Sequence, residues 1–458
     1  MRSITLVAAA IGSTCWTVPA LAQSDETSGI EAELAAMRAQ MAEMAARMEA
    51  LEGELTATKA EAAAASEQAG VAVASAAAAE ENAQAGTEIA WKGAPEFSGK
   101  GGWSFKPRGR IQVDAGAVNA PDSASYEDGF GSEIRRARLG VEGDVPGGFG
   151  YKFEIDFAGN AVEVADALLS YSDGGLKLTA GHQNNFQSLE ELTSSLHTSF
   201  IERAAFTDAF GFERRVGASV EYAGKAVLVQ AGLFSDNIAD LPDDRAWSAD
   251  GRVVFFPKVG SAQLHLGGSI HYTGREAGST VRYRQRPFVH FNGTRFVNTG
   301  AMTADSETGY GLEAAGIFGR FHATGEAFWQ HADLPGMAID PTFFGAYAEA
   351  GFFLTPGDRR GYKGGKFDRV KPRNPLNKGG MGALQINLRY DHLDLVDAGI
   401  VGGVQDSYAV SLVWTPTDYT RFLINYARNQ IDQSIFPVAG GDTSYAVDAV
   451  GVRAQVDF

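Results

Sequence analysis

A chain of 458 residues with 39 basic and 56 acidic side chains carries a formal charge of −17 at pH 7, a balance that disfavours nucleic-acid binding. Its only cysteine, Cys15, leaves no pair for a disulfide, so a secreted form must be stabilised by size or by a closed barrel. No stretch of about 18 or more apolar residues follows the first 22, which excludes a transmembrane helix.

Met1-Arg2, the mostly apolar run Ile4 to Ile11 and the small-x-small triplet Ala20-Leu21-Ala22 predict a signal peptide over residues 1–22, cut before Gln23. Cys15 lies inside it. Residues 28–60 follow as a heptad segment. Ile30, Leu34, Met37, Met41, Met44, Met48, Leu51 and Leu55 recur at 4-3 spacing, with Leu34 at a and Met37 at d. Glu33 at g faces Arg38 at e of the next heptad, and Arg47 at g faces Glu52, the pairings of a parallel coiled coil. The expectation is an oligomerisation stalk; the alternative is one amphipathic helix packed on its own domain. Residues 61–96, rich in Ala, read as frayed helix and then flexible linker.

From residue 97 to 458 the chain turns to short alternating runs. Tyr151, Phe153, Ile155 and Phe157 oppose Lys152, Glu154 and Asp156, and Leu384, Ile386, Leu388 and Tyr390 oppose Gln385, Asn387, Arg389 and Asp391. The last strand sets Val450, Val452, Ala454, Val456 and Phe458 against Gly451, Arg453, Gln455 and Asp457. Aromatics gather near the ends of the apolar faces. An all-β fold follows, a transmembrane antiparallel β-barrel of roughly 16 strands with apolar faces to lipid and charged faces to a water-filled lumen. A soluble barrel with the faces reversed is the alternative.

Positive charge at i, i+2 spacing falls on one face of a strand. Arg108 with Arg110, Arg136 with Arg138, and Arg282 with Arg284 and Arg286 form such ladders, and Lys366, Arg369, Lys371 and Arg373 cluster in a Gly/Pro-bearing connection. Guanidinium rows on a pore wall attract anions and pair with phosphate or carboxylate oxygens. The bland reading is a solvated surface row balanced by acidic neighbours. His265 and His271 share strand parity, but no carboxylate or cysteine completes a metal-ligand spacing, so no metal is expected. No catalytic motif stands out, and neither a cofactor nor an enzymatic activity is expected.

Ile134-Arg-Arg-Ala-Arg-Leu-Gly-Val-Glu142, Tyr151-Lys-Phe-Glu-Ile-Asp-Phe-Ala-Gly-Asn160, Ser188-Leu-Glu-Glu-Leu-Thr-Ser-Ser195 with Glu202-Arg203, and Gly365-Lys-Phe-Asp-Arg-Val-Lys-Pro372 with Leu388-Arg-Tyr-Asp391 together resemble the phosphate-selective porin O and P family. The resemblance implies a homotrimeric, 16-stranded porin of the Gram-negative outer membrane, in contact with its lipid, with a third loop around Gln183 to Arg203 folded into the lumen. Phosphate-selective members carry lysines in the stretch matching Leu189 to Glu202. Here that stretch has none and is made acidic by Glu190, Glu191 and Glu202, while Arg203 keeps the basic residue that ends the motif.

These readings converge on a pore for small anions such as phosphate or polyphosphate. Arg108, Arg110, Arg136, Arg138, Arg203, Arg282, Arg284, Arg286 and Arg389 are its expected pore-lining residues, and Glu190, Glu191 and Glu202 its constriction loop. Two alternatives stand beside it: a general or cation-preferring porin governed by the loop acids, and a barrel that anchors a coiled coil in contact with the cell wall.

Overall fold

A computed structural model describes residues 26–83, 87–122, 126, 128–241 and 246–458, and the expected signal peptide lies outside them. The chain forms two units, Met1–Ala85 and Gly86–Phe458. The described part of the first is a single helix, α1 (Glu26–Ala83). It runs unbroken through residue 60 to Ala83, as the low helical cost of alanine permits. The apolar seam lies open along it, from Leu34 at 43% exposed to Met48 at 63%.

The second unit is a closed barrel of 16 antiparallel strands. In chain order these are β1 (Trp103–Asn119), β2 (Gly129–Val145), β3 (Phe149–Asp156), β4 (Glu163–Asp173), β5 (Leu176–Asn184), β6 (Arg214–Ala223), β7 (Val227–Phe234) and β8 (Trp247–Phe255). There follow β9 (Ala262–Gly274), β10 (Ser306–Phe318), β11 (Phe321–Asp333), β12 (Thr342–Phe353), β13 (Ala383–Asp397), β14 (Ile400–Thr417), β15 (Thr420–Asp432) and β16 (Tyr445–Asp457). The ring closes where β16 pairs with β1, from Asp448 opposite Asn119 to Asp457 opposite Arg110. Residues Glu88–Trp91 and Pro95–Gly99, expected within the linker, instead form a hairpin that pairs onto the start of β1.

Burial follows the membrane sense of the alternation. On β16, Val450, Val452 and Val456 are exposed while Arg453, Gln455 and Asp457 are buried. A soluble barrel would bury the first set, so that alternative is excluded. Phe458, just past the strand, exchanges backbone hydrogen bonds of 3.0 and 3.1 Å with Gly109 of β1.

Strand connections alternate between the two ends of the ring. At the end carrying the barrel's termini most are tight turns, with residues 354–382 as a long exception; at the other end lie the long connections 185–213 and 275–305. Residues 185–213 fold inward and carry two short helices, α2 (Leu189–Leu192) and α3 (Ala205–Ala209).

Candidate functional site in the lumen

The inward loop is tied to the wall chiefly through its own backbone. Glu326 of β11 accepts from the N–H groups of Leu189 and Glu190 at 2.7 Å each, at the start of α2. Asp391 of β13 accepts from Ala205 N–H at 3.1 Å, and Asn425 of β15 from Ile201 N–H at 3.1 Å. Arg421 donates to the carbonyls of Leu196 and Thr198, Arg453 to that of Ile201 at 2.7 Å, and Ser411 to that of Ser199 at 2.7 Å. Glycine makes room for the loop at two wall positions. A Cβ on Gly345 would meet Phe206 Cβ at 2.5 Å, and one on Gly451 would meet Ile201 Cδ1 at 2.9 Å. Phe206 and Phe212 of the loop then pack on Phe328 of β11, with ring centroids 5.9 and 4.7 Å away.

A second segment enters from the opposite end. Within residues 354–382, Gly361–Lys363 pairs with Lys366–Asp368 as a hairpin around Gly364 and Gly365, whose φ values of 58° and 71° suit glycine. Arg252 of β8 donates to Gly365 O at 3.1 Å, Tyr362 OH lies 2.6 Å from His265 Nδ1, and Arg369 pairs with Asp457. Phe367 packs against Leu189 of the inward loop and Ile317 of β10. The two insertions thus meet inside the barrel, where His197 Nε2 lies 3.7 Å from Asp368.

The space left open lies against β2 to β6. On one side of the loop is a cavity of about 400 Å³ whose lining includes Arg136, Arg138, His182, Glu191, Arg203 and Arg214. On the other is a cavity of about 480 Å³ whose lining includes Lys152, Asp166, Lys177, Leu192 and Lys366.

The expected residues divide sharply by position. Arg136 and Arg138 reach the first cavity with Glu191 and Arg203. Arg138 is spent on Glu154 at 3.0 Å and Asp156 at 2.7 Å. Arg136 donates to Gln112 Oε1 at 3.0 Å and has no carboxylate at ion-pair distance among the described residues. Arg203 folds back on its own loop, donating to the carbonyls of Glu190, Glu191 and Thr193. Arg110 is buried between Ser195 and Glu154, and Arg108 pairs with Glu142.

Three expectations need correction. Arg389 does not line the pore. It is 3% exposed, 2.7 Å from both Glu190 and Glu349, and sits over the rings of Phe200 and Tyr347. Glu190, consumed by that pair, does not face the opening either. Arg282, Arg284 and Arg286 do not stand on a barrel strand; they lie in the 275–305 connection, where all three line a further cavity with Arg215 and Arg295. Arg286 is held there by Asp208 of the inward loop, whose carboxylate accepts from its backbone N–H at 3.0 Å.

Sequence parity missed Arg135. A bulge between Gln112 and Val113 sets Arg136 opposite the first and Ile134 opposite the second, leaving Arg135 as the extra residue. It turns inward and its Nε meets Glu202 Oε1 at 3.1 Å, which Arg453 also reaches at 3.2 Å. Burial works to raise the Glu202 carboxyl, but Arg135, Arg453 and Arg136 outweigh it and hold it well below the usual range. Burial raises the Glu191 carboxyl, against the pull of Arg203, Arg214 and Arg136. Arg214, also missed, joins Lys152 on Asp166 at 2.9 and 2.5 Å.

The family described as phosphate-selective porin O and P matches residues 105–458. A protein of Caulobacter vibrioides, described as an uncharacterized protein, is 46% identical over 384 residues, covering 81% of this chain and 77% of its own length. Outer-membrane expressed OmpT of Vibrio cholerae superposes with a TM-score of 0.50 at 12% identity, over 81% of this chain and all of its own. The high-pH structure of Pseudomonas putida OprB gives 0.50 at 12% identity, over 78% of this chain and 94% of its own. These two likenesses are of fold alone.

Proposed function

The chain belongs to the phosphate-selective porin O and P family of the Gram-negative outer membrane, and on that premise we propose that it passes small anionic solutes, phosphate among them. Family and barrel mark a channel rather than an enzyme. The observation that carries the anionic reading is the fate of the loop acids. Glu190 is cancelled by Arg389, Glu202 by Arg135 and Arg453, and Glu191, which lines the first cavity, is paired with Arg203 at 3.4 Å. Arg136 lines the same cavity and has no carboxylate at ion-pair distance among the described residues. In a narrow lumen poorly screened by water, one such uncompensated guanidinium outweighs several paired ones. The Arg282, Arg284 and Arg286 cluster on the 275–305 connection would gather anions ahead of it.

The same reading makes the protein a homotrimer whose α1 helices join in a parallel stalk. The open Leu/Met seam supports it, since a helix with such a face normally buries it on a partner. The pore reading is tested by the reversal potential of the purified protein in a planar bilayer under a potassium chloride gradient. Anion preference is expected; cation preference would overturn it and put Glu191 in control.

A further inference from the structure

The 275–305 connection folds back on itself. Thr280–Val281 pairs with Met302–Thr303 and Arg284–Gln285 with Val297–Asn298, and Arg284 and Arg295 line the same two cavities. The apex is anchored on β2: His290 Nδ1 lies 2.7 Å from Glu133, and the Phe291 ring fills the place that a Cβ on Gly131 would take. One of the two cavities, about 370 Å³, is the cationic one described above. The other, about 450 Å³, has a different character, for Phe130, Phe291 and Phe436 line it beside the two arginines. Asp128 is the one carboxylate among its described lining residues. Phe436 is held in place from behind, its carbonyl accepting from Tyr445 OH at 2.7 Å and its ring set edge-on to Phe296 with centroids 6.5 Å apart.

The ion pairs around these cavities are Arg275 with Glu307 and Arg286 with Asp208, and neither Arg284 nor Arg295 joins one among the described residues. Nε and Nη1 of Arg295 are moreover buried and meet no acceptor. Burial lowers that guanidinium to about 10 against the pull of Asp208, with Arg286 and Arg284 adding to the fall, so it is charged at neutral pH. Buried donors left unmet on a charged group cost free energy that a bound oxyanion recovers. The aromatic walls are surplus to that task, because an inorganic ion has no face to lay against a ring. We propose that Arg284 and Arg295 hold the oxyanion head, carboxylate or phosphate, of an organic anion whose flat ring lies against Phe291 and Phe436. The inference rests on the anion reading and narrows it from inorganic ions to ring-bearing ones.

The experiment is calorimetric titration of the purified full chain with phenyl phosphate, with inorganic phosphate (the head alone) and with benzyl alcohol (the ring alone). Phenyl phosphate is expected to bind roughly tenfold more tightly than either, about the factor that one ring contact supplies. Phe291→Leu and Phe436→Leu, on separate connections, should each erase most of that preference while inorganic phosphate binds as before. Arg295→Gln should weaken both phosphates. Equal affinity of the parent protein for phenyl phosphate and either comparison compound overturns the site, and so does a ring preference that survives both Phe291→Leu and Phe436→Leu. An anion-preferring reversal potential without preference for phenyl phosphate strikes this site and leaves the pore reading standing. Preference for phenyl phosphate beside a cation-preferring reversal potential does the reverse.

Discussion

Glu190 of the lumen loop and Arg389 of β13 meet at 2.7 Å, and neither is more than 3% exposed. Far apart in sequence, they join the loop that narrows the channel to the wall behind it. Arg389→Ala would leave Glu190 and Glu349 buried without their cation, a loss of about 3–5 kcal/mol. The expected outcome is a lower thermal unfolding midpoint and a larger, noisier single-channel current. An unchanged current would mean that the loop holds its place without this pair.

Arg136→Ala is expected to move the reversal potential toward cations and to cost only about 1 kcal/mol of stability, the loss of its bond to Gln112. Arg138→Ala is a poorer probe, because it also frees Asp156 and leaves Glu154 with Arg110 alone. Glu191→Lys should move selectivity the other way and let phosphate block chloride current at lower concentration. Equal reversal potentials in Arg136→Ala, Glu191→Lys and the parent protein would locate selectivity elsewhere.

Acidification should itself favour anions. The Glu191 carboxyl is raised by burial, so as the pH falls through that raised value its charge leaves the opening while the guanidiniums keep theirs. Reversal potentials taken from about pH 8 to about pH 4 should drift toward anion preference, beginning above the ordinary glutamate value near 4.3. Glu191→Gln should flatten that drift.

Stability carries the opposite sign at Glu202. Its native carboxyl binds a proton more weakly than in the unfolded chain, so the stabilisation is fully present above the unfolded value of about 4.3 and is lost as the pH falls below it. Glu202→Gln should lower the unfolding midpoint at neutral pH and reduce its further fall in acid. A parallel acid fall in parent and variant would show that other carboxylates dominate.

The hairpin at Gly361–Asp368 should limit conductance without setting its sign. Deleting residues 362–367 removes Lys366 and Phe367 but leaves Arg136 and Glu191 in place. Single-channel conductance is expected to rise while anion preference persists. Unaltered conductance would mean that the hairpin lies off the path.

The barrel was legible because lipid and water impose a strict period of two, which Val450 to Phe458 display without interruption. The site was legible only in part. Parity counting assumes an even ladder, and the bulge at Arg135 breaks it, so a loop-binding arginine went unseen beside two that were expected. The spacing of Arg282, Arg284 and Arg286 imitated a wall strand, though nothing local distinguishes a long loop from one. Glu190 and Glu191 are neighbours of the same type, yet one is buried against Arg389 and the other faces the channel. Only the placement of residue 389 separates them, and that is a property of the closed ring.

Beside the ion pairs of Glu190 and Glu202, the wall holds the inward loop by its main chain, the N–H of Leu189, Glu190, Ile201 and Ala205 and the carbonyls of Leu196, Thr198, Ser199 and Ile201. Folding therefore places little demand on which side chain stands at position 191. On the proposed reading, exchange of that one residue would shift selectivity while leaving the barrel intact. The ties that place the loop and the residue proposed to set its charge are therefore separable.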